Sequence, residues 1–269
     1  MTADEPVYVI GDIHGQLGKL IALLRGAGLA TDRLSWAAGA ATLWFMGDFF
    51  DRGPDGLGVL DLVMRLQREA AVAGGQVASL LGNHEVMLLA AQRFAGRPRF
   101  TRGYQLKRTW EEAGGVVRDL AGLTPQHIDW LTDLPAMALV GGHLFMHANA
   151  LFYREYGSSV EAVNAAIRKI LQGEDAPVWA RLIAGFRTRG FFNDNRAGGK
   201  TNAREFLRRY GGRRIIHGHV PIFHMNGQAA KDITEPYIYA DGLCLDMDGG
   251  MSADGLGFVY QLPRLDAAL

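Results

Sequence analysis

Five short apolar runs in this chain each stop at residues able to bind a cation. Val7 to Ile10 leads into Gly11-Asp12-Ile13-His14-Gly15, and Thr42 to Met46 into Gly47-Asp48-Phe49-Phe50-Asp51-Arg52-Gly53. Gln76 to Leu81 leads into Gly82-Asn83-His84-Glu85, Leu144 to Met146 into His147, and Ile215-Ile216 into His217-Gly218-His219. Short apolar runs bounded by glycine read as buried strands. Between the first three, Leu17, Leu20, Ile21 and Leu24, then Leu57, Leu60, Val63 and Met64, follow helical spacing, and a helix is expected from about Glu85 to Ala91. Strand, loop and helix thus repeat three times in the first 95 residues, the pattern of a sheet covered by helices. Ligands of such sheets collect outside the carboxyl ends of the strands, so five polar strand ends point to one convergent site.

The rest of the chain adds elements around that frame. Thr124 and Pro125 predict a helix start, with Ile128, Leu131 and Leu134 on one face. Met137 to Val140 and Leu144 to Met146 read as a hairpin around Gly141-Gly142. Ser158 with Glu161 predicts a capping box ahead of Val160, Val163, Ile167 and Ile170, and Phe206, Leu207 and Tyr210 predict one more helix. Short strands return at Tyr237 to Ala240, Leu243 to Leu245 and Phe258 to Leu262. With no repeat or linker in sight, the reading is a single domain over 1–269, carrying helical insertions at approximately 97–135 and 151–212.

Composition removes several classes. The 269 residues are 48% hydrophobic and hold 28 basic against 28 acidic side chains. That excludes disorder and disfavours a general polyanion binder, so no nucleic acid partner is expected. The single Cys244 excludes an intramolecular disulfide and a cysteine zinc site. No apolar run approaches the roughly 20 residues that span a bilayer, and Met1 to Pro6 lacks a basic signal-peptide start. The expectation is a cytoplasmic protein without membrane contact, its oligomeric state undetermined.

The residue types specify chemistry. In an extended segment residues i and i+2 point the same way, so Asp12 and His14 can grip one cation. Asp12, His14, Asp48, Asn83, His147 and His219 form a mixed oxygen and nitrogen set without thiolate. Such a set suits Mn, Fe or Zn rather than Ca. Six ligands exceed one tetrahedral ion and suit two ions sharing a carboxylate. Two metals about 3.5–4 Å apart activate a bridging water and stabilise both ends of an in-line displacement at phosphorus.

These motifs, GDIHG at 11–15, GDFFDRG at 47–53, GNHE at 82–85 and the later His147 and Gly218-His219, resemble the calcineurin-like metallophosphoesterases. The Gly-Asp-x-x-Asp-Arg-Gly form is similar to the phosphoprotein-phosphatase-like branch. The lead-in through Trp36 and the paired glycines before GNHE are similar to its bacterial, Shewanella-like members. The resemblance is close over the first 95 residues and afterwards rests on two points. It implies an α+β or α/β fold, a β-sandwich of two sheets flanked by helices in four layers. It implies two divalent or trivalent transition-metal ions, manganese foremost, with iron or zinc as alternatives. Asp12, His14 and Asp48 would hold one ion; Asp48, Asn83, His147 and His219 the other. Arg52 would grip phosphate oxygens, with Asn83 beside the substrate. His84, oriented by Asp51, would protonate the leaving oxygen.

The expected activity is hydrolysis of phosphate monoesters, foremost on phosphorylated serine or threonine in proteins. A small phosphate ester or a dinucleoside polyphosphate is the alternative substrate, and a non-catalytic binding module is the remote one. A nuclease is disfavoured by Pro221 where related nucleases carry a second histidine.

Departures are equally visible. His147-Ala148-Asn149 replaces the usual His-Gly-Gly or His-Ala-Gly, and His217 adds a histidine two residues before His219. Arg187 and Arg189 are candidates for a second phosphate-binding arginine. Gly198-Gly199-Lys200-Thr201 follows no strand and reads as a loop, Asp246 and Asp248 as turn residues, and His127, His143 and His224 as structural. The neutral total also hides a cancellation. Arg93 to Arg108 holds six bases and no acid, and Arg187 to Arg214 nine bases against Asp194 and Glu205. This predicts a basic rim that attracts an anionic substrate.

Overall fold

The computed structural model describes residues 5–99, 101–196 and 198–263. The first 95 residues follow the expected alternation: β1 (Val7–Ile10), α1 (Leu17–Gly26), β2 (Thr42–Phe45), α2 (Gly56–Val72), β3 (Gln76–Ser79) and α3 (Asn83–Arg93). Then come α4 (Arg102–Glu112), α5 (Val117–Gly122), α6 (Pro125–Asp133) and the hairpin of β4 (Met137–Val140) with β5 (His143–Met146). Three helices follow, α7 (Val160–Gln172), α8 (Ala176–Phe186) and α9 (Gly199–Tyr210). The chain closes through β6 (Arg214–His217), α10 (Ile222–Asn226), β7 (Tyr237–Tyr239), β8 (Cys244–Asp246) and β9 (Val259–Gln261).

The strands form two sheets, one ordered β3-β2-β1-β9 and the other β4-β5-β6-β8-β7. Strands β1, β2 and β3 are parallel, as are β5, β6 and β8, and antiparallel β4, β7 and β9 lie at sheet edges. The period of two along each strand sorts side chains between two cores. Val9, Trp44, Met46, Phe145, Ile216 and Leu245 meet between the sheets, where the Trp44 and Phe145 rings lie 5.4 Å apart edge to face. Their neighbours Ile10, Leu43, Phe45, Leu144, Ile215 and Cys244 join the larger core under the helices. The chain is therefore a β-sandwich flanked by helices. All six parallel strands run toward one rim, and their carboxyl ends deliver the motif loops there.

Several boundaries differ from the sequence reading. The α7 cap is Ser159, whose hydroxyl accepts the Ala162 N–H, rather than Ser158. That shift seats Val160, Val163, Ile167 and Leu171 on the buried face. Helices α4 and α8 carry weak periodic signals. Helix α4 buries chiefly Leu106 and Trp110, one turn apart, among charged residues, a narrow apolar seam. Helix α8 is marked by its ends instead, with Asp175 capping the Val178 N–H and Pro177 in the first turn. Thr124 caps α6 as expected, and Gly141 and Gly142 turn the β4–β5 hairpin at φ 54° and 79°.

Candidate active site

Asp12, His14, Asp48, Asp51, Asn83, His84, His147 and His219 are all buried, and all stand on loops or helix starts that directly follow the parallel strands. Holding them together requires an unusual backbone. Eight non-glycine residues among those described have positive φ, and five of them are His14 (49°), Asp48 (56°), Asp51 (70°), Arg52 (65°) and His219 (71°). Strain of this kind persists where surrounding contacts over-determine it, and clusters at functional sites. It also explains one glycine. A Cβ on Gly82 would come within 2.2 Å of Asp48 Oδ1 and 2.5 Å of Asp48 N, so only glycine lets the second and third motifs close on each other.

Two ligand clusters share Asp48. His14, Asp48 and His84 offer atoms within 4.8 Å of one another, and so do Asp48, His147 and His219. Backbone acceptors fix the imidazole tautomers. His14 Nδ1 donates to Phe50 O at 3.0 Å and His147 Nδ1 to Met46 O at 2.8 Å, so each presents a bare Nε2 inward. Around His147 Nε2 the neighbours are Asn83 Oδ1 at 2.9 Å and Asp48 Oδ2 at 3.4 Å. Asn83 Oδ1 also lies 2.7 Å from His219 Nδ1. Lone pairs of oxygen and nitrogen thus converge in a buried place, an arrangement that a divalent cation fits.

Electrostatics agree. Burial would lift the Asp48 carboxyl, but the imidazoles of His147, His84 and His14 hold it well below the usual carboxylate range. Burial lowers His147, but the Asp48 charge, the hydrogen bonds to Asp48 and Met46 and the Glu85 charge together raise it. His14 is pushed down to about 3 by burial and the adjoining His84, and His219 is lowered by burial and His147. The ionised Asp48 and the neutral His14 and His219 are in the protonation states metal binding needs, and His147 would release its proton as an ion binds.

Asp12, expected beside His14, accepts the His219 backbone N–H through both carboxylate oxygens at 3.1 Å. Burial and the nearby charges of Asp248 and Asp48 raise its pKa. Arg52 reaches over the first cluster, donating to His14 Nε2 at 3.0 Å and His84 Nε2 at 3.1 Å. His84 Nδ1 in turn donates to Asp51 Oδ2 at 2.6 Å. The two insertion arginines part company. Arg189 is exposed but close enough to His219 for its charge to be felt there. Arg187 ends α8 and lines a cavity of about 150 Å³ with Arg102, Gln105 and Thr109.

Other residues around the site were named from sequence without a part in it. Glu85, fully buried, accepts the N–H groups of Asp48 (2.8 Å), Phe49 (2.8 Å) and Gly82 (2.9 Å). Its signal was the glutamate three residues into the α3 start. Asp246 and Asp248 do accept turn N–H groups, from Asp248 and Gly250, but both are buried and Asp248 faces Asp12. His217 turns to Tyr239, whose hydroxyl lies 2.6 Å from its Nε2. Asn149, the departure in the fourth motif, accepts the Gly190 N–H at 2.7 Å and donates to Asn193 Oδ1 and Tyr239 Oη. Its backbone carbonyl also accepts the Phe191 N–H at 3.0 Å. That side chain holds the loop that carries Arg189.

The buried histidines and aspartates at the strand ends of the two-sheet sandwich form a place that could hold metal ions. The family model for calcineurin-like phosphoesterases matches residues 5–223, and the chain belongs to that family. Among curated relatives, Shewanella-like protein phosphatase 2 of Arabidopsis thaliana is 26% identical over 206 residues, 63% of this chain and 52% of the relative. The symmetrical bis(5'-nucleosyl)-tetraphosphatase of Bordetella pertussis is 29% identical over 177 residues, 66% of this chain and 54% of the relative. The chain thus spans about half the length of these relatives. The cold-active protein-tyrosine phosphatase of a psychrophilic Shewanella species shares the fold, with a TM-score of 0.69 at 23% identity over 96% of this chain and 75% of that one. No described helix is long and apolar enough to cross a membrane.

Proposed function

We propose that the chain hydrolyses phosphate monoesters on proteins, using two transition-metal ions that share Asp48. The observation that carries this reading is the membership of Asp48 in both ligand clusters, beneath the Arg52 guanidinium. Asp12, His14 and Asp48 would hold one ion, and Asp48, Asn83, His147 and His219 the other. Such a pair would supply an activated water and would neutralise charge on phosphate oxygens. Manganese suits the oxygen and nitrogen donor set, with iron or zinc as alternatives.

The chain's own residues do the rest. Arg52 presents a planar fork of N–H donors to the phosphate oxygens and keeps the monoester in line. Arg189, on the loop held by Asn149, supplies a second positive charge above His219. Arg187 lines the cavity between α4 and α8 instead. As the water oxygen bonds to phosphorus, the ester P–O bond breaks and its electron pair leaves with the alkoxide. His84 Nδ1 is bonded to Asp51 and Nε2 here accepts from Arg52; once Arg52 turns to the phosphate, Nε2 can take up a proton from solvent and pass it to that oxygen, while the attacking water sheds one proton to solvent in balance.

The plant relative supports a phosphoprotein substrate, and the Bordetella relative supports a dinucleoside polyphosphate as the second reading. A panel of phosphoserine, phosphothreonine and phosphotyrosine peptides against dinucleoside tetraphosphate separates them. Faster release from the peptides is expected. A kcat/KM for the dinucleotide exceeding all peptides would reverse the assignment.

A further inference from the structure

The Asp51 and His84 pair has a third member. The Trp110 indole N–H donates to Asp51 Oδ1 at 2.9 Å, on the carboxylate oxygen opposite the one that holds His84 Nδ1 at 2.6 Å. Trp110, Asp51 and His84 are each no more than 1% exposed. Trp110 lies on α4, well outside the motifs. The turn after that helix grips the same loop from the other side: the Gly114 carbonyl accepts the Arg52 N–H at 2.9 Å. Gly115 lies flat on the indole, where a Cβ would come within 2.4 Å of Trp110 Cε2. Farther along, Asp119 Oδ2 accepts the Gly56 N–H at 3.1 Å, and Arg118 bonds the Pro54 carbonyl.

Asp51 and Arg52 both sit at positive φ, a conformation a free loop would not keep. The helical insertion is the template that holds it. Within that template the indole N–H has one specific task. A carboxylate bonded only to His84 could rotate about its Cα–Cβ and Cβ–Cγ bonds. A carboxylate bonded at both oxygens cannot, and it fixes the plane and aim of the imidazole.

We propose that Trp110 is a positioning residue for His84, acting through Asp51, so that the α4 insertion sets proton delivery to the leaving group. The proposal rests on the reading of His84 as the proton donor, and a leaving-group series separates the two. Leaving oxygens that depart unaided, as from p-nitrophenyl phosphate, need little protonation; an alkyl phosphate needs it fully. Trp110→Phe keeps most of the ring volume and removes the N–H. Benzothienylalanine in its place keeps the whole shape and removes only the N–H, which covers the case of Trp110→Phe failing to fold. His84→Ala is the reference, with a loss of about 10²–10⁴ on the alkyl ester.

Both Trp110 replacements should lower kcat on the alkyl phosphate about tenfold, change kcat on p-nitrophenyl phosphate less than about threefold, and leave KM unchanged. Equal losses on both esters would reduce Trp110 to a packing residue and overturn the proposal, and so would no loss on either. If His84→Ala discriminates between the esters and the Trp110 replacements do not, the positioning role alone falls. If His84→Ala does not discriminate, the proton-donor reading falls and takes this proposal with it.

Discussion

Glu85 gives the sharpest energetic prediction, because one buried carboxylate serves three backbone donors of two different motifs. Its Oε2 accepts both the Asp48 and Gly82 N–H groups, and its Oε1 accepts the Phe49 N–H. A buried donor left without a partner costs about 1–3 kcal/mol. Glu85→Ala orphans three, so the expected destabilisation is about 3–9 kcal/mol, a large part of the roughly 5–15 kcal/mol typical of a folded domain. Glu85→Gln can keep its amide oxygen in the Oε2 place, but then turns its NH₂ against the Phe49 N–H. That loses one bond, about 2 kcal/mol, which lowers Tm by roughly 4–8 °C in a chain of this size. The Asp48 backbone moves with the lost bond, so kcat/KM should fall at least about tenfold. Urea unfolding in EDTA, followed by tryptophan fluorescence, reads the stabilities as midpoints at constant slope. A Glu85→Ala protein within about 1 kcal/mol of its parent would refute the reasoning.

Three further outcomes follow from single features. Asn149→Gly restores the glycine usual in the fourth motif and frees the Gly190 N–H; inhibition by inorganic phosphate should weaken about fivefold with kcat nearly unchanged, and unchanged inhibition would detach Asn149 from Arg189. His217 is pushed down to about 4 by burial, against 6.5 when unfolded. Its contribution is therefore complete above pH 6.5 and lost as pH falls toward 4, at most about 3 kcal/mol in EDTA titrations of unfolding; an equal acid slope in His217→Gln would exclude it. The basic segments are partly neutralised by acids from outside them: Arg97 pairs with Glu174, Arg108 with Glu112, and Lys200 and Arg204 with Asp241. The salt dependence of kcat/KM should accordingly be shallow, about two- to threefold between roughly 0.05 and 0.5 M, and a tenfold fall would restore a strongly attracting rim.

What the sequence made legible follows from how local each signal is. The parallel strands and their loops were readable because each apolar run ends at a glycine and a ligating side chain, and strand ends gather ligands whatever the rest of the chain does. The convergence of Asp48 with His14 on one side and His147 with His219 on the other needed only that rule. Helices α4 and α8 were harder. Leu106 and Trp110 make too thin a seam to stand out, and Trp179, Leu182, Ile183 and Phe186 lie on a helix with little polar contrast. The partners of the site were hidden for a different reason. Trp110 with Asp51, Asn149 with Gly190, and Tyr239 with His217 are separated by 59, 41 and 22 residues, and hydrogen bonds at that range leave no local pattern. Arg187 and Arg189 share a sequence context yet stand in different surroundings, because α8 ends between Phe186 and Arg187.

The central claim is that Asp48 is shared by two metal ions. Metal content measured on protein equilibrated with Mn(II) and then freed of excess metal tests it, alongside turnover of p-nitrophenyl phosphate. The parent should hold two ions per chain and His147→Ala about one. Asp48→Asn, which keeps the shape and removes the charge facing both clusters, should hold fewer than one and lose at least about 10³-fold in kcat. Two ions and full turnover in Asp48→Asn would contradict the account.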